Sequence, residues 1–128
     1  MIIAMPGLDG GRVLLLEDEV FIATAIRKFL SAAGAKDVLQ VENAEDAFNV
    51  IEDSDVDAAV LDIRLKRGTS YDVAEALTRK GVAIVFHSGI DPFEFADAFP
   101  DAVCCAKADG PAHLVESLVQ AKKNLEAA

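Results

Sequence analysis

The chain has 128 residues, 52% of them apolar, and a formal net charge of −10. This length is typical of one domain, the apolar content excludes a disordered chain, and the acidic charge argues against a sequence-independent grip on nucleic acid. No apolar run approaches the ~20 residues of a membrane span, and residues 1–11 lack the pattern of a signal peptide, so we expect a cytoplasmic protein. Residues 1–11 are also rich in glycine, which predicts a loose leader. A single domain is predicted over 12–124.

Short apolar runs that alternate with helical patterns predict the secondary structure. Strands are predicted at 12–17, 37–41, 57–62, 82–86 and 102–106, and helices at 20–33, 44–52, 71–79, 93–98 and from 111 onward. Asn43 and Ser70 stand where their side chains can cap the second and third helices. Strands that alternate with helices predict an α/β fold, with a five-stranded parallel sheet covered on both faces.

Polar residues stand at the carboxyl ends of four of these strands. Glu17 and Asp18 stand at the end of the first strand, Asp62 at the end of the third, Ser88 at the end of the fourth and Lys107 at the end of the fifth. Because the carboxyl ends of parallel strands share one edge of a sheet, these side chains converge if their strands are neighbours. Clustered carboxylates suit Mg²⁺, an ammonium group neutralises phosphate, and a carboxylate can act as a nucleophile and become an aspartyl phosphate.

With these residues the chain resembles the response-regulator receiver domains of bacterial two-component signalling. The matching pieces, in order, are VLLLEDE at 13–19, VLDIRL at 60–65, VFHSG at 85–89 and Lys107, and the resemblance covers about 12–123. It implies a doubly wound, flavodoxin-like sheet with the strand order 2-1-3-4-5.

The resemblance also implies a role for each residue at the strand ends. Asp62 is similar to the phosphoacceptor, and Asp18 to a direct Mg²⁺ ligand. Glu17 would act on the metal through water, and the backbone carbonyl of Arg64 would be a further ligand. Ser88 resembles the switch hydroxyl and Lys107 the lysine that binds the phosphoryl group.

Three positions depart from the usual pattern of the family. Ala108 replaces the proline after Lys107, and because a cis bond before a non-proline residue costs about 2.5–4 kcal/mol, we expect a trans bond. Cys104 replaces the usual aromatic residue of the fifth strand, and Lys66 stands where proline is common, four residues after Asp62. We therefore expect phosphorylation to act on residues 87–98 rather than on the fifth strand.

Each candidate also has a plain structural interpretation. Asp62 can be an ordinary acid after a strand, Ser88 a turn residue and Lys107 a solvated lysine. Acids such as Glu17 and Asp18 also favour a helix start, which does not exclude metal binding. The remaining candidates are assigned structural roles: His87 as a strand-end residue, His113 as a first-turn helix residue, Cys104 and Cys105 as reduced core residues, and Tyr71 as a packing residue.

The leading hypothesis is a stand-alone receiver, since the length leaves no room for an output domain. It would accept a phosphoryl group from a phosphohistidine on a sensor histidine kinase or phosphotransfer protein, and signal by protein contact or pass the group on. It would not be an enzyme. The alternative is a Mg²⁺-dependent phosphatase of the haloacid-dehalogenase type, but that chemistry wants an acid where Arg64 stands. A nucleotide or flavin module would need a glycine-rich phosphate loop, which the sequence lacks.

Overall fold

A five-stranded parallel sheet with helices on both faces forms the fold. The computed structural model describes residues 11–89 and 93–127, so the predicted leader falls almost wholly outside the described residues. The elements are β1 (Arg12–Leu16), α1 (Val20–Ala32), β2 (Asp37–Val41), α2 (Ala44–Asp53), β3 (Ala58–Leu61), α3 (Tyr71–Arg79), β4 (Ala83–Ser88), α4 (Phe93–Ala98), β5 (Val103–Ala106) and α5 (Pro111–Ala127). The strand order is β2-β1-β3-β4-β5 with every pair parallel, which confirms the predicted fold.

The central strands divide their side chains between two apolar cores. Along β1, Val13 and Leu15 pack with α1 and α5, whereas Leu14 and Leu16 pack with α2, α3 and α4. This alternation follows from the two-residue period of a strand, and both sets are fully buried. Continuous apolar runs were therefore the correct signal for strands covered on both faces.

The two predicted helix caps have different outcomes. The Asn43 side chain accepts a hydrogen bond from the Asp46 amide at 2.8 Å, so that cap is confirmed. The Ser70 cap is wrong, because its hydroxyl is buried, makes no capping hydrogen bond and has no hydrogen-bond partner among the described residues. A capping residue needs extended backbone, and Ser70 has a φ of −88° and a ψ of 12°. Thr69 instead accepts the Tyr71 amide, at 3.3 Å.

The fourth strand ends two residues later than predicted, whereas the fifth ends at the predicted residue. Strand β4 continues through His87 to Ser88, so both residues belong to the strand rather than following it. Strand β5 ends at Ala106, and Lys107 opens a single 3-10 turn, Lys107–Asp109, before α5. The peptide bond between Lys107 and Ala108 is trans, as expected.

Cysteines at 104 and 105 point to opposite cores, as neighbours in a strand must. Cys105 is buried among residues of the α1 and α5 side, and Cys104 packs against the other core. Neither cysteine forms a disulfide within the described part of the chain. In the described part of the chain, no helix combines the length and apolar character that a membrane crossing requires.

Candidate functional site

Backbone pairing fixes two acids at the carboxyl edge of the sheet. The Asp62 amide donates to the Leu16 carbonyl at 2.9 Å, which extends the β1–β3 ladder by one residue. The Glu17 amide likewise donates to the Val41 carbonyl at 3.1 Å. Each acid is therefore held beside the neighbouring strand, and both are buried, Glu17 with 1% and Asp62 with 7% of its surface exposed.

Three carboxylates converge at this edge. Glu17, Asp18 and Asp62 each offer one oxygen, and these oxygens lie within 4.8 Å of one another. Hard divalent cations such as Mg²⁺ and Ca²⁺ take oxygen ligands, and unneutralised carboxylates at this separation repel. The donor set therefore fits a hard cation, and the sequence prediction that these three acids come together is confirmed.

Lys107 reaches the same group from the turn that follows β5. Its ammonium group contacts the Glu17 carboxylate at 2.9 Å and the Asp62 carboxylate at 3.0 Å, and 24% of its side chain is exposed. The lysine is therefore not simply solvated. These contacts join residues that lie 45 or more positions apart in the sequence, which is why strand-end reasoning predicted proximity but no ion pair.

The pKa values of Glu17 and Lys107 are both raised. Burial raises the pKa of Glu17, the neighbouring Asp62 carboxylate adds to this, and Lys107 partly offsets it. Burial alone would lower the pKa of Lys107, but its hydrogen bonds to Glu17 and Asp62 and their charges outweigh that penalty. Lys107 therefore stays charged at neutral pH, and its positive charge partly neutralises the Glu17 and Asp62 carboxylates.

The acids open into a cleft of about 330 Å³ at the sheet edge. Its walls include Asp18, Asp62, Ser88, Gly89 and Lys107, together with residues 64–66 of the loop after β3. Every residue that the sequence assigned to the site lies in this cleft or, like Glu17, in the carboxylate cluster beneath it. Sequence reasoning missed the part played by Lys66, whose backbone amide contacts Asp18.

The sequence of residues 13–99 matches the family model of the response regulator receiver domain. That match spans more than half of the chain. The protein belongs to the response-regulator receiver family. It is thus a receiver domain of two-component signalling, a family of phosphoacceptor signalling domains. Among curated proteins, no sequence matches this receiver.

Several solved structures share the fold over nearly the whole chain. A response regulator receiver protein from Sinorhizobium medicae has a TM-score of 0.83 and 24% identity, covering 92% of this chain and 98% of its own. SdrG from Sphingomonas melonis has a TM-score of 0.72 and 28% identity, covering 91% and 98%. The regulator TrrA from Thermotoga maritima, solved in complex with Mg²⁺–BeF, has a TM-score of 0.75 and 20% identity, covering 87% and 98%.

His87 lies in this receiver on the opposite face of β4 from the aromatic side chain of Phe86. It lines a cavity of about 220 Å³ between α1 and the start of α5, together with Ile26, Leu114 and Lys107. Burial lowers the pKa of His87, the Lys107 charge lowers it further, and the Glu17 charge acts in the opposite direction. Burial and the Lys107 charge therefore favour the neutral imidazole in the folded protein.

This lowered pKa predicts a pH dependence of stability. An unfolded histidine titrates near pH 6.5, so below about that pH the unfolded state binds more protons at His87 than the folded state. The stabilisation from the neutral imidazole is present above that pH and is lost as the pH falls toward the folded pKa. We expect the unfolding free energy of wild type, measured by urea denaturation with a chelator, to fall more steeply than that of His87→Gln between about pH 7 and pH 5. Parallel pH profiles would contradict the expectation.

Proposed function

We propose that Asp62 accepts a phosphoryl group from a phosphohistidine on a sensor histidine kinase or phosphotransfer protein, in a reaction that requires Mg²⁺. The observation that carries the proposal is the position of Asp62. It is buried at the end of a central strand, ion-paired to Lys107, within the carboxylate cluster and open to the cleft. The receiver would then act by contact with another protein or by passing the phosphoryl group on.

The transfer needs one bond to form and one to break. A carboxylate oxygen of Asp62 bonds to phosphorus while the bond from phosphorus to the donor imidazole nitrogen breaks, and the imidazole leaves with that electron pair. Asp18, Asp62, the Arg64 backbone carbonyl and, through water, Glu17 would hold Mg²⁺. When bound, the ion supplies positive charge that offsets the phosphoryl oxygens. TrrA, which shares the fold, was solved with Mg²⁺–BeF.

Lys107 and Ser88 would receive the transferred group. The Lys107 ammonium lies 3.0 Å from Asp62, so it is placed to neutralise an oxygen of a phosphoryl group attached there. Ser88 is buried at the end of β4 and lines the cleft, where its hydroxyl can donate to another phosphoryl oxygen. The Lys107 ammonium group has three donors, and its contacts with Glu17 and Asp62 leave one donor that can turn to a phosphoryl oxygen.

The phosphatase alternative has no support in the site. Hydrolysis of that type requires an acid two residues after the nucleophile, but in this chain that position is occupied by Arg64. None of the comparisons points to a phosphatase. We therefore infer a phosphoacceptor without turnover of a separate substrate.

The direct test is incubation of the metal-loaded protein with a small phosphodonor. A single adduct that is acid-stable and base-labile is expected, as for an acyl phosphate, and its formation should require Mg²⁺. Steady turnover of a phosphate ester would instead favour the phosphatase.

Four aromatic rings connect the site to α4, where we expect the conformational response to phosphorylation. On α4, Phe95 packs against Tyr71 with ring centres 5.5 Å apart and against Phe86 at 5.1 Å, and Phe99 contacts the same two rings at 5.1 and 5.6 Å. Tyr71 follows the loop after Asp62, and Phe86 lies two residues before Ser88 in β4. Helix α4 thus contacts residues that flank the site on two sides. Strand β5 has Cys104 where an aromatic residue is usual.

We therefore expect hydrogen exchange to respond to phosphorylation most strongly at residues 87–98, with little change at 103–106. A Tyr71→Ala protein should still be phosphorylated but should show a weaker response at 93–98, because one of the two ring contacts to α4 is gone. Phe48→Ala is the matched control, since Phe48 on α2 is also 38% exposed but is not a member of the ring pairs that join Tyr71, Phe86, Phe95 and Phe99. A main response at Cys104, with 87–98 unchanged, would refute the expectation.

A further inference from the structure

The loop between β3 and α3 is a compact hairpin. The Ser70 amide donates to the Ile63 carbonyl at 3.1 Å, and the Leu65 amide donates to the Gly68 carbonyl at 3.0 Å. Between these bonds Arg64 and Thr69 pair as an antiparallel bridge. Gly68 adopts a φ of 77°, which non-glycine residues avoid, and so closes the tip. The backbone of Arg64 is therefore fixed by the hairpin.

One hydrogen bond ties the tip of this hairpin to the carboxylate cluster. The Lys66 amide donates to the Asp18 Oδ2 atom at 2.5 Å, across 48 residues of sequence. Glu17 and Asp62 both pair with Lys107, whereas Asp18 accepts a hydrogen bond from the Lys66 amide. A carboxylate can accept about four hydrogen bonds or ligands, so the Lys66 bond leaves Asp18 able to bind a cation. With the bond in place, an Asp18 oxygen already lies within 4.8 Å of those of Glu17 and Asp62.

We propose that the Lys66 backbone amide is a positioning group for the metal site. It holds the Asp18 carboxylate toward the other two acids, and through the hairpin it holds the Arg64 carbonyl at the same cleft. The proposal rests on the proposed function, because it takes Asp18 and Arg64 as Mg²⁺ ligands. Partners that orient a ligating carboxylate typically change metal affinity by about 10- to 100-fold when removed.

This bond depends on the residue type at position 66 in a specific way. Proline has no backbone N–H, so the proline that is common at this position in the resembling receivers could not make the contact. Every other residue type could. The bond is therefore a property of this chain's backbone, and the Lys66 side chain is not required for it.

Two substitutions at position 66 separate the amide from the side chain. We expect Lys66→Pro to bind Mg²⁺ about 10-fold more weakly than wild type in a calorimetric or NMR titration. Lys66→Ala loses the side-chain charge but keeps the backbone amide, so it should bind Mg²⁺ within about 2-fold of wild type. If the charge of Lys66 were the cause of the effect, Lys66→Ala would change Mg²⁺ affinity as well. Arg67→Pro, one residue on in the same hairpin tip, controls for the rigidity of proline and should also bind nearly as wild type.

Amide exchange tests the bond itself without a proline variant and without metal. In a chelator, the Lys66 amide of Asp18→Ala should exchange about 10-fold faster than in wild type, while the Leu65 amide, which donates to Gly68, stays unchanged. Equal exchange at Lys66 in the two proteins overturns the positioning role. So does equal Mg²⁺ affinity of wild type and Lys66→Pro. A wild type that binds no Mg²⁺ overturns the metal-dependent part of the proposed function as well, which distinguishes the two failures.

Discussion

An Asp62→Asn protein is expected to take no phosphoryl label from a phosphohistidine donor in the presence of Mg²⁺. The carboxylate of Asp62 is the proposed nucleophile, and the neutral amide of asparagine has no oxygen able to form an acyl phosphate. The change conserves shape, and an amide oxygen at this position can still accept from Lys107. The measurement is incorporation of labelled phosphoryl groups, with the mass of the intact protein as a second readout.

An acid at the other end of β3 supplies the matched control. Asp57 precedes β3 at the opposite edge of the sheet, where its carboxylate accepts the Arg12 amide at 2.8 Å. Asp57→Asn removes the same charge by the same chemistry and should label as wild type. If Asp62→Asn labels as well as wild type, the phosphoryl group is accepted elsewhere and the proposed function is wrong.

The Asp62 substitution is not expected to unfold the protein. It removes one of three carboxylates that converge within 4.8 Å, which relieves repulsion of Glu17. It also weakens the ion pair with Lys107, an effect of opposite sign. A thermal melt close to that of wild type would show that any loss of labelling reflects the missing nucleophile.

Local sequence patterns predicted most of the fold because burial and hydrogen bonding within each strand and helix depend mainly on residues close together in the sequence. The apolar run at Ala58–Leu61 is a fully buried strand, and the helix periods after Ser70 and Pro92 gave the bounds of α3 and α4 correctly. The site acids were predicted from one rule, that ligands gather at the carboxyl edge of a parallel sheet. Their convergence follows because β1 and β3 are hydrogen-bonded neighbours, which the sequence gives only through the family resemblance.

The details that sequence reasoning missed are long-range contacts. Nothing near Ser70 in the sequence shows that its hydroxyl is buried and its backbone too compact to cap α3. The Lys107 ion pairs and the Lys66 bond to Asp18 join residues at least 45 positions apart, so no local pattern encodes them. A usable signal did exist for Lys66, since the departure from proline restored a backbone donor beside a predicted metal site.

Removal of Asp18 is expected to abolish the response of the protein to Mg²⁺. Wild type should gain about 2.7 kcal/mol of stability at a Mg²⁺ concentration 100 times its dissociation constant, since the ion binds only the folded cluster. Asp18→Ala loses a direct ligand and the group that anchors the hairpin carrying Arg64, so its unfolding free energy should not change with Mg²⁺. Calorimetric titration and denaturation with and without Mg²⁺ give the two readouts.

The effect of net charge on Mg²⁺ binding must be distinguished from the effect of direct coordination, and a substitution of Glu19 makes this possible. It lines the same cleft one residue from Asp18 but is exposed and lies outside the carboxylate cluster. Glu19→Ala lowers the negative charge by the same amount, so a purely electrostatic attraction of Mg²⁺ would weaken equally in both variants. Coordination predicts a loss only in Asp18→Ala, with Glu19→Ala within about 2-fold of wild type, because exposed charges are strongly screened. Mg²⁺ binding of equal strength in Asp18→Ala and wild type would place the cation away from these acids, and a phosphoryl group on Asp62 would then have only Lys107 and Ser88 to offset its charge.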